Sequence, residues 1–525
     1  MAGQPTSYDE VPYISVPFPQ THPDRLATAA RIFGLASPAV DRCRVLELGC
    51  ASAGNLIPMA FNLPGSEFVG IDLSRHQVDD ANAVIRRLGL TNIRVEHASI
   101  MDVDASWGDF DYILCHGVFS WVERDVQDRI FEIARDRMTA TGISYISYNT
   151  YPGWHLRESV RHMMRYHAGQ FEKATEQVEQ ARALLAFLAS ATGKEGPYAE
   201  LLSREVDRLS RASDSYLFHE HLEQTNTPMY FHQFIERAEH AGLFYLSEAS
   251  VSDMLTSHFP TEVAETLERI SADILHLEQY MDFVRNRQFR QTLLVHAGSK
   301  PKRALTPGFL HGLLVSSASQ PTEIPSDLSA TAPVAFWNGK QRADVTLPGT
   351  KAALLILMER WPEAVPVNEL VPAALDRARP FLGDTSAAEA ERGLVGDLFG
   401  CVMYGLVHLH TVPVPCTATL EEHPRAHPLS ADYAAHGPQV VNAHHELTEL
   451  DGLSHEVLRM CDGTRTREAM LDSLVARFES GGLTVQDGEQ PVTDAAKARE
   501  ILADRLARVL THLLRSAVLI GAANS

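Results

Sequence analysis

Short apolar runs alternate with amphipathic stretches along residues 1–300, and this alternation predicts an α/β fold. The first apolar run, residues 44–48, ends at Gly49, and a turn of small residues leads from it into a helical pattern. The second run, residues 68–74, carries Asp72 near its end. A strand, a small-residue turn and a helix in this order are typical of the opening unit of a nucleotide-binding sheet.

The turn and the carboxylate suggest the kind of ligand. Asp72 follows Gly49 by about 23 residues, a spacing that places a carboxylate where it can bind a ribose diol. The turn reads GCASAG and lacks the GxGxxG of most dinucleotide enzymes. With Glu47 before it, the turn resembles the first motif of class I S-adenosylmethionine-dependent methyltransferases. The alternative is an ordinary strand-to-helix turn that binds nothing.

That resemblance implies a seven-stranded Rossmann-like sheet with helical insertions, occupying residues 1–300. We place the five remaining strands within residues 92–103, 111–122, 142–154, 231–251 and 287–298. A helix at 126–138 is expected to cover the sheet. The helical stretches at about 155–220 and 252–286 are interpreted as insertions that build either a lid or a dimer face, so a homodimer is one expectation.

Residues 301–344 are rich in Pro, Ser and Ala, which predicts a linker. Residues 345–525 then show the order helix, turn, helix, longer helix and short strand, with two similar stretches at 345–425 and 440–525. This order is typical of a mainly helical, winged-helix-like region, in which we expect Thr464 to cap a helix. The region could recognise a peptide, act as a scaffold or bind DNA.

Several longer phrases narrow the resemblance. Residues 8–26, 116–122, 149–155, 230–249 and 279–296 are similar to methyltransferases that carry a methyltransferase regulatory domain, a group that includes rickettsial outer-membrane-protein lysine methyltransferases. The resemblance implies an N-methyltransferase that uses S-adenosylmethionine and acts on lysine side chains of a protein or peptide.

The same resemblance implies a set of cofactor-binding residues. In the family pattern Asp72 binds the ribose hydroxyls, and Glu47 holds either the methionine amino group or the turn itself. The other implied cofactor residues are Gly49, Cys50, Ala51, Leu73, Gln77, Ser99, Ile100, Cys115, His116 and Gly117. An N-terminal segment with Tyr8, Tyr13, Phe18 and His22 is expected either to cover the cofactor or to pack elsewhere on the surface as a proline-rich tail.

Aromatic residues after the fourth and fifth strands could form a channel for the lysine. A lysine amine attacks only when neutral, and an apolar aromatic channel lowers its pKa. We assign Trp121, Tyr148, Tyr151 and Trp154 to the channel, with core packing as the alternative for each. Tyr151 and His116 are the catalytic candidates, although His116 could equally orient the cofactor.

Composition supports a cytoplasmic enzyme. The formal net charge is −21, and no basic stripe suggests nucleic acid as a partner. No apolar run is long enough to span a membrane, and no secretory signal is visible. The six cysteines lack CxxC spacing and HExxH is absent, so we expect reduced thiols and no metal site.

Three functions therefore remain open. The first is an S-adenosylmethionine-dependent methyltransferase for lysines of a polypeptide. The second is a methyltransferase that tailors a small molecule or a peptide natural product. The third is a non-catalytic adenosylmethionine-binding regulator.

Overall fold

The structure is a computed structural model that describes residues 15–193, 195–329, 332–339, 341–488 and 490–521. Contacts divide the chain into two units. The first contains Met1–Val16 and Ala29–Arg303, and the second contains Pro17–Thr28 and Ala304–Ser525. The division between Thr28 and Ala29 falls inside helix α1 (Pro23–Ile32).

The first unit is built on a seven-stranded sheet in the order β3-β2-β1-β4-β5-β7-β6. Strand β7 is antiparallel to β5 and β6, and the other pairs are parallel. The strands are β1 (Arg44–Leu48), β2 (Glu67–Asp72), β3 (Ile93–His97), β4 (Phe110–Cys115), β5 (Met138–Asn149), β6 (Leu243–Glu248) and β7 (Phe289–His296). This topology confirms the predicted Rossmann-like methyltransferase sheet.

Helices connect and cover these strands. They are α2 (Leu56–Asn62), α3 (Arg75–Leu88), α4 (Arg124–Arg137) and α9 (Phe231–His240) around the sheet, with α5 (Gly153–Ala168), α6 (Ala174–Ala191), α7 (Pro197–Ser210), α8 (Asp214–Leu217), α10 (Thr261–Ile270) and α11 (Ile274–Arg285) in the two insertions. Ser74 caps α3 by accepting the Gln77 amide hydrogen, and left-handed Gly89 ends it. The first insertion packs its own apolar cluster around Met164, Leu185 and Leu202.

The fifth strand differs from its expected position. It starts at Met138, where we expected the end of a helix, and it ends at Asn149, before the aromatic loop. Its early start reflects pairing with β4, because Met138 is the register partner of Phe110. Such pairing depends on residues of another strand, so the hydrophobic pattern around Met138 does not indicate it.

In its described part after Arg303, the second unit contains several small sheets and seven α-helices. They are β8 (Leu314–Ser316), β9 (Gln320–Pro321), β10 (Val334–Trp337), β11 (Arg342–Val345), α12 (Pro348–Arg360), β12 (Val365–Pro366), α13 (Val367–Ala378), α14 (Ala387–Met403), β13 (His408–His410), β14 (Arg425–Ala426), α15 (Pro428–His436), β15 (Gln439–Val441), β16 (Leu447–Glu449), α16 (Gly452–Met460), α17 (Arg467–Glu479), β17 (Gln486–Asp487), β18 (Gln490–Pro491), α18 (Ala495–Arg515) and β19 (Leu519–Ile520).

The range that we expected to be a linker contains ordered strands. Strand β8 lies between β12 and β13, and β10 lies between β9 and β11. Ser317 and Ser319 are fully buried and both donate to the Leu406 carbonyl. Buried hydroxyls of this kind are stable where a distant carbonyl accepts their hydrogen bonds.

The winged-helix-like region has one apolar core that includes Leu458, Leu474 and Leu506. Its helix α17 is capped by Thr466, which accepts the Ala469 amide hydrogen, and not by Thr464 as expected. The Thr464 hydroxyl instead donates to Asp462. All six cysteines lie in the described residues and carry buried free thiols. In the described ranges, no helix has the length and apolar character needed to cross a membrane.

Candidate active site

The turn after β1 has an unusual backbone. Gly49 has a φ of 73°, and two alanines, Ala51 and Ala53, have φ values of 49° and 56°. Left-handed backbone is costly for residues with a Cβ, so this conformation is held by its surroundings. A Cβ on Gly49 would lie 2.5 Å from the Val118 Cγ2 atom in the loop after β4. Glycine is therefore required where these two loops meet.

Asp72 fastens this turn to the end of β2. Its Oδ2 atom accepts the Ala51 amide hydrogen at 2.8 Å, and its Oδ1 atom accepts that of Ser74 at 2.8 Å. A carboxylate has about four acceptor positions, so both oxygens can also bind hydroxyl groups. Asp72 thus shapes the turn, and its predicted role toward a ribose is compatible with that geometry.

Glu47 lies buried beneath the turn. Its Oε1 atom accepts a hydrogen bond from Asn55 at 2.8 Å, whereas Oε2 is buried without a hydrogen-bond partner among the described residues. Burial, opposed in part by the Asn55 bond and reinforced by the charge of Asp72, raises the pKa of Glu47 to about 8. A buried acceptor that lacks a donor suits an ammonium group, which would restore its charge.

Further predicted cofactor residues lie in the loops after β2 and β3. Leu73 is 57% exposed and Met101 is 46% exposed, which is unusual for large apolar side chains. The Leu73 carbonyl lies 3.0 Å from the His97 Nε2 atom, so the two loops adjoin. Ser99 caps the short helix that begins at Ile100, and Ile100 is buried. Gln77 is buried too, in α3.

The loop after β4 begins with Cys115, which is fully buried. The His116 Nδ1 atom lies 2.8 Å from the Tyr145 hydroxyl, and burial lowers the pKa of His116 to about 4. His116 is therefore neutral at pH 7. The Gly117 amide donates to Ser147 Oγ at 2.8 Å, and a Cβ on Gly117 would meet no described atom within 4 Å.

The four predicted channel residues differ in burial. Tyr148 is 1% exposed and stacks on Phe234 at 3.9 Å, and Trp154 is also 1% exposed. Both therefore have the burial of core residues, which favours core packing, the alternative that we gave for each. Successive β5 side chains point to opposite faces, and Tyr145 and Ser147 contact the loop after β4, so Tyr148 lies on the other face. Trp121 and Tyr151 are half-buried.

The N-terminal segment is only partly described. Tyr8 and Tyr13 lie outside the described residues. Ser15 contacts the turn, because its Oγ atom accepts the Gly54 amide hydrogen at 2.7 Å. His22, which we expected over the cofactor, belongs to the second unit, where its ring lies 5.2 Å from that of His445.

Sequence reasoning missed three residues of this site. Ser15 and Ser147 bind backbone amides of the turn and of the β4 loop, and no local pattern marks them. Glu158 accepts a hydrogen bond from the Tyr151 hydroxyl at 2.9 Å. No local pattern marks this contact, because Tyr151 precedes α5 and Glu158 lies within it.

These observations fit an adenosylmethionine molecule. Glu47 Oε2 lacks a donor, Asp72 can accept further hydrogen bonds, and the exposed Leu73 and Met101 offer apolar surface for a base. Gly117 leaves space beside the β4 loop. The sheet and this site together define an S-adenosylmethionine-dependent methyltransferase of class I.

Models of known protein families match three regions of the chain and support this class. The family described as "Methyltransferase domain" matches residues 46–144, "Predicted methyltransferase regulatory domain" matches 213–296, and "PKMT, C-terminal winged helix domain" matches 422–518. The winged helix and the regulatory domain inferred from sequence are thereby confirmed.

Two rickettsial proteins are similar over their whole length. RP789 of Rickettsia prowazekii is 34% identical over 522 residues, which cover 98% of this chain and 93% of that protein. The structure of PKMT2 from Rickettsia typhi in complex with AdoHcy has 30% sequence identity and a TM-score of 0.85, covering 97% of this chain and 100% of PKMT2. The chain belongs to the same family as these two proteins, and it is an S-adenosylmethionine-dependent methyltransferase.

Proposed function

We propose that this methyltransferase transfers methyl groups to lysine side chains of a protein or peptide. The observation that carries the proposal is the similarity to PKMT2 across all three regions, and not only across the widespread cofactor-binding region. A methyltransferase for small molecules has no evident need for the additional winged-helix region, whereas a polypeptide offers more surface to bind.

The residues of the site have separable roles in this proposal. Glu47 and Asp72 would hold the amino group and the ribose of the cofactor, with Leu73 and Met101 beside the base. When bound, the cofactor supplies an electrophilic methyl group on a sulfonium. Neutral His116, held by Tyr145, and the Gly117 amide, held by Ser147, keep the β4 loop in place. This arrangement serves alignment, the main requirement of methyl transfer.

The target amine must lose its proton before it reacts. Presenting a lysine amine as neutral at pH 7.4 costs about 4 kcal/mol in water, because its free pKa is near 10.4. A half-buried aromatic surface lowers this cost by making the ammonium form less favourable. Trp121 and Tyr151 are half-buried and remain our candidates for that surface, with Tyr151 as the candidate that contacts the reacting side chain.

We further propose that the winged-helix region contacts protein and not nucleic acid. Several of its cations are paired: Arg467 with Glu422, Arg499 with Asp472, and Lys497 with Asp487, at 2.6–3.1 Å. Paired side chains are less available to phosphates, and DNA binding needs several free cationic side chains.

The homodimer that we expect can be tested by light scattering of the full chain.

Incubation with isotope-labelled S-adenosylmethionine and a bacterial lysate tests the proposal. Mass spectrometry should locate the label on lysine side chains of polypeptides. The Asp72→Ala variant serves as the control for enzyme-independent labelling. Label found only on small molecules would favour the tailoring function, and an absence of transfer with intact cofactor binding would favour the regulator.

A further inference from the structure

An aromatic cluster lies just beyond the end of β5. The Tyr151 and His155 rings stack with centroids 3.9 Å apart, and the Tyr230 ring lies 5.4 Å from that of Tyr151. The His155 Nε2 atom and the Tyr230 hydroxyl are 3.0 Å apart. Phe283, which is 46% exposed, meets the Tyr230 ring edge-on. Partly exposed rings of this kind attract cations to their faces.

One carboxylate enters this cluster. The Tyr151 hydroxyl donates to Glu158 Oε2 at 2.9 Å. In the part of the chain that the structure describes, Glu158 forms no ion pair with a Lys, Arg or His side chain within 4.0 Å. Burial and the neighbouring carboxylate raise the pKa of Tyr151 to about 12, so Tyr151 keeps its proton and remains a donor to Glu158.

The arginines beside Glu158 in α5 are held elsewhere. The Arg157 guanidinium lies 5.2 Å from the Trp154 ring centroid, and that of Arg161 lies 5.9 Å from the Trp121 ring centroid. Arg161 also donates to the Glu223 carbonyl. Arg161 is close enough to feel the charge of Glu158, but it does not form an ion pair with it. The half-buried carboxylate is therefore available to a cation that is not part of the chain.

The cluster is connected to the cofactor loop through β7. The Phe289 ring lies 6.1 Å from that of His116 in an edge-on contact, and Phe289 is 38% exposed. Phe289 is the register partner of Asn149, two residues before Tyr151. The Thr150 amide donates to the Gln288 carbonyl at 2.9 Å. A side chain that approaches the β4 loop along this wall therefore passes the cluster.

We propose that Glu158, with the rings of Tyr151 and Tyr230, is a specificity-determining site that first binds the incoming lysine as its ammonium ion, before the amine loses its proton to solvent and moves on toward the β4 loop. This proposal rests on the proposed lysine methyltransferase function and assigns a new role to Glu158. The carboxylate supplies the charge, and the Tyr151 hydroxyl fixes the carboxylate in place by its hydrogen bond. An uncharged acceptor of the same size gains nothing from either interaction.

The test compares Glu158→Gln with the unaltered enzyme, using poly-L-lysine as acceptor and labelled S-adenosylmethionine as donor. The variant keeps an oxygen for the Tyr151 hydroxyl but loses the charge. We expect KM for poly-L-lysine to rise about tenfold, the size of effect typical of a charge-assisted contact. The affinity for S-adenosylhomocysteine, measured by calorimetry, should not change, and kcat should change less than KM.

Two further variants make the result specific. Glu176→Gln removes the same charge from α6, where Glu176 pairs with Lys173 at 3.6 Å on the surface, and should leave KM unchanged. Tyr151→Phe removes only the hydroxyl and should raise the KM for poly-L-lysine. If the Glu158→Gln variant does not fold, the Tyr151→Phe variant takes its place in the test. An unchanged KM in a folded Glu158→Gln variant overturns the proposal while lysine methylation stands. Transfer to acceptors other than lysine overturns both.

Discussion

Asp72 combines two tasks at the scale of a single residue. Its carboxylate accepts the amide hydrogens of Ala51 and Ser74, and in our proposal it also binds the ribose. Ala51 is in a left-handed conformation, so the amide that Asp72 accepts belongs to a strained residue. Loss of the carboxylate therefore affects both the shape of the turn and its contacts with the cofactor.

We expect Asp72→Ala to weaken S-adenosylmethionine binding at least tenfold, because hydrogen bonds to a charged group contribute about 1.5–3 kcal/mol each. Isothermal titration calorimetry measures this directly. Asp79→Ala, on the exposed face of α3, is the matched control. Near-normal affinity in the Asp72 variant would contradict the role of this carboxylate.

Glu47 makes stability depend on pH in the cofactor-free protein. Its pKa rises from 4.5 to about 8 on folding, so the folded state favours the protonated form. The stability that this group contributes is fully present below about pH 4.5 and is lost as the pH rises through about 8. Glu47→Gln does not titrate and keeps an oxygen for Asn55.

The stability gained by Glu47→Gln should therefore grow between pH 5 and pH 8. Thermal unfolding of the cofactor-free variant and of the unaltered protein at both pH values measures the difference. The same variant should bind S-adenosylmethionine more weakly, because it cannot neutralise an ammonium group. An equal difference in Tm at the two pH values would argue against a buried, titrating Glu47.

At the scale of elements, a buried ionic cluster joins β6, β7 and α11. Arg290 is fully buried and binds three carboxylates at 2.8–2.9 Å, namely those of Glu248, Glu278 and Asp282. Its guanidinium also lies 3.9 Å from the Phe231 ring centroid in α9. The cluster thus holds together most of the region that matches the regulatory domain.

Arg290→Met should destabilise the first unit by about 3–5 kcal/mol, because it removes the cation that binds all three buried carboxylates, and Arg287 stays within 3.0 Å of Glu248 alone. Differential scanning calorimetry measures the change in Tm. Arg94→Met removes an exposed pair with Glu96 and should cost less than about 1 kcal/mol. Similar losses in the two variants would show that burial of the Arg290 cluster does not matter.

The positions of strands and helices could be predicted from the local hydrophobic pattern, but the roles of individual side chains could not. The parallel strands of the nucleotide-binding half lie within or next to the expected ranges, since most of their residues are apolar and buried in β1, β2 and β4. Tyr148 and Tyr151 look alike in sequence, yet the first stacks under α9 and the second lies beyond the strand end. The face of β5 determined the position of Tyr148, and the end of the strand at Asn149 determined that of Tyr151.

At the scale of the whole molecule, the N-terminal segment contributes to the second unit. Asp24 in α1 lies 3.1 Å from His410 Nδ1 in β13, and His410 Nε2 lies 2.8 Å from Ser316 Oγ in β8. Burial raises the pKa of Asp24, but the hydrogen bond and charge of His410 lower the pKa more strongly. The net pKa of Asp24 is about 2, below its ordinary value. Asp24 is thus ionised in a buried position and depends on His410 and Thr411.

His410→Ala should destabilise the second unit by about 3 kcal/mol, because the buried Asp24 carboxylate loses a charge-stabilising partner. Limited proteolysis should then cut residues 17–28 faster than in the unaltered protein. His436→Ala, at an exposed pair with Asp432, provides the control. Unchanged proteolysis at this segment would show that the Asp24–His410 contact does not anchor it.

The sequence by itself determined the cofactor class, the seven-stranded sheet and the winged-helix order, because these depend on short apolar runs, small-residue turns and helical spacing within neighbouring residues. Only the tertiary structure decided that residues 17–28 join the second unit, that the serines of the expected linker are buried, and that Glu158 meets Tyr151. Burial and hydrogen-bond partners depend on residues far apart in the chain, which local patterns do not encode.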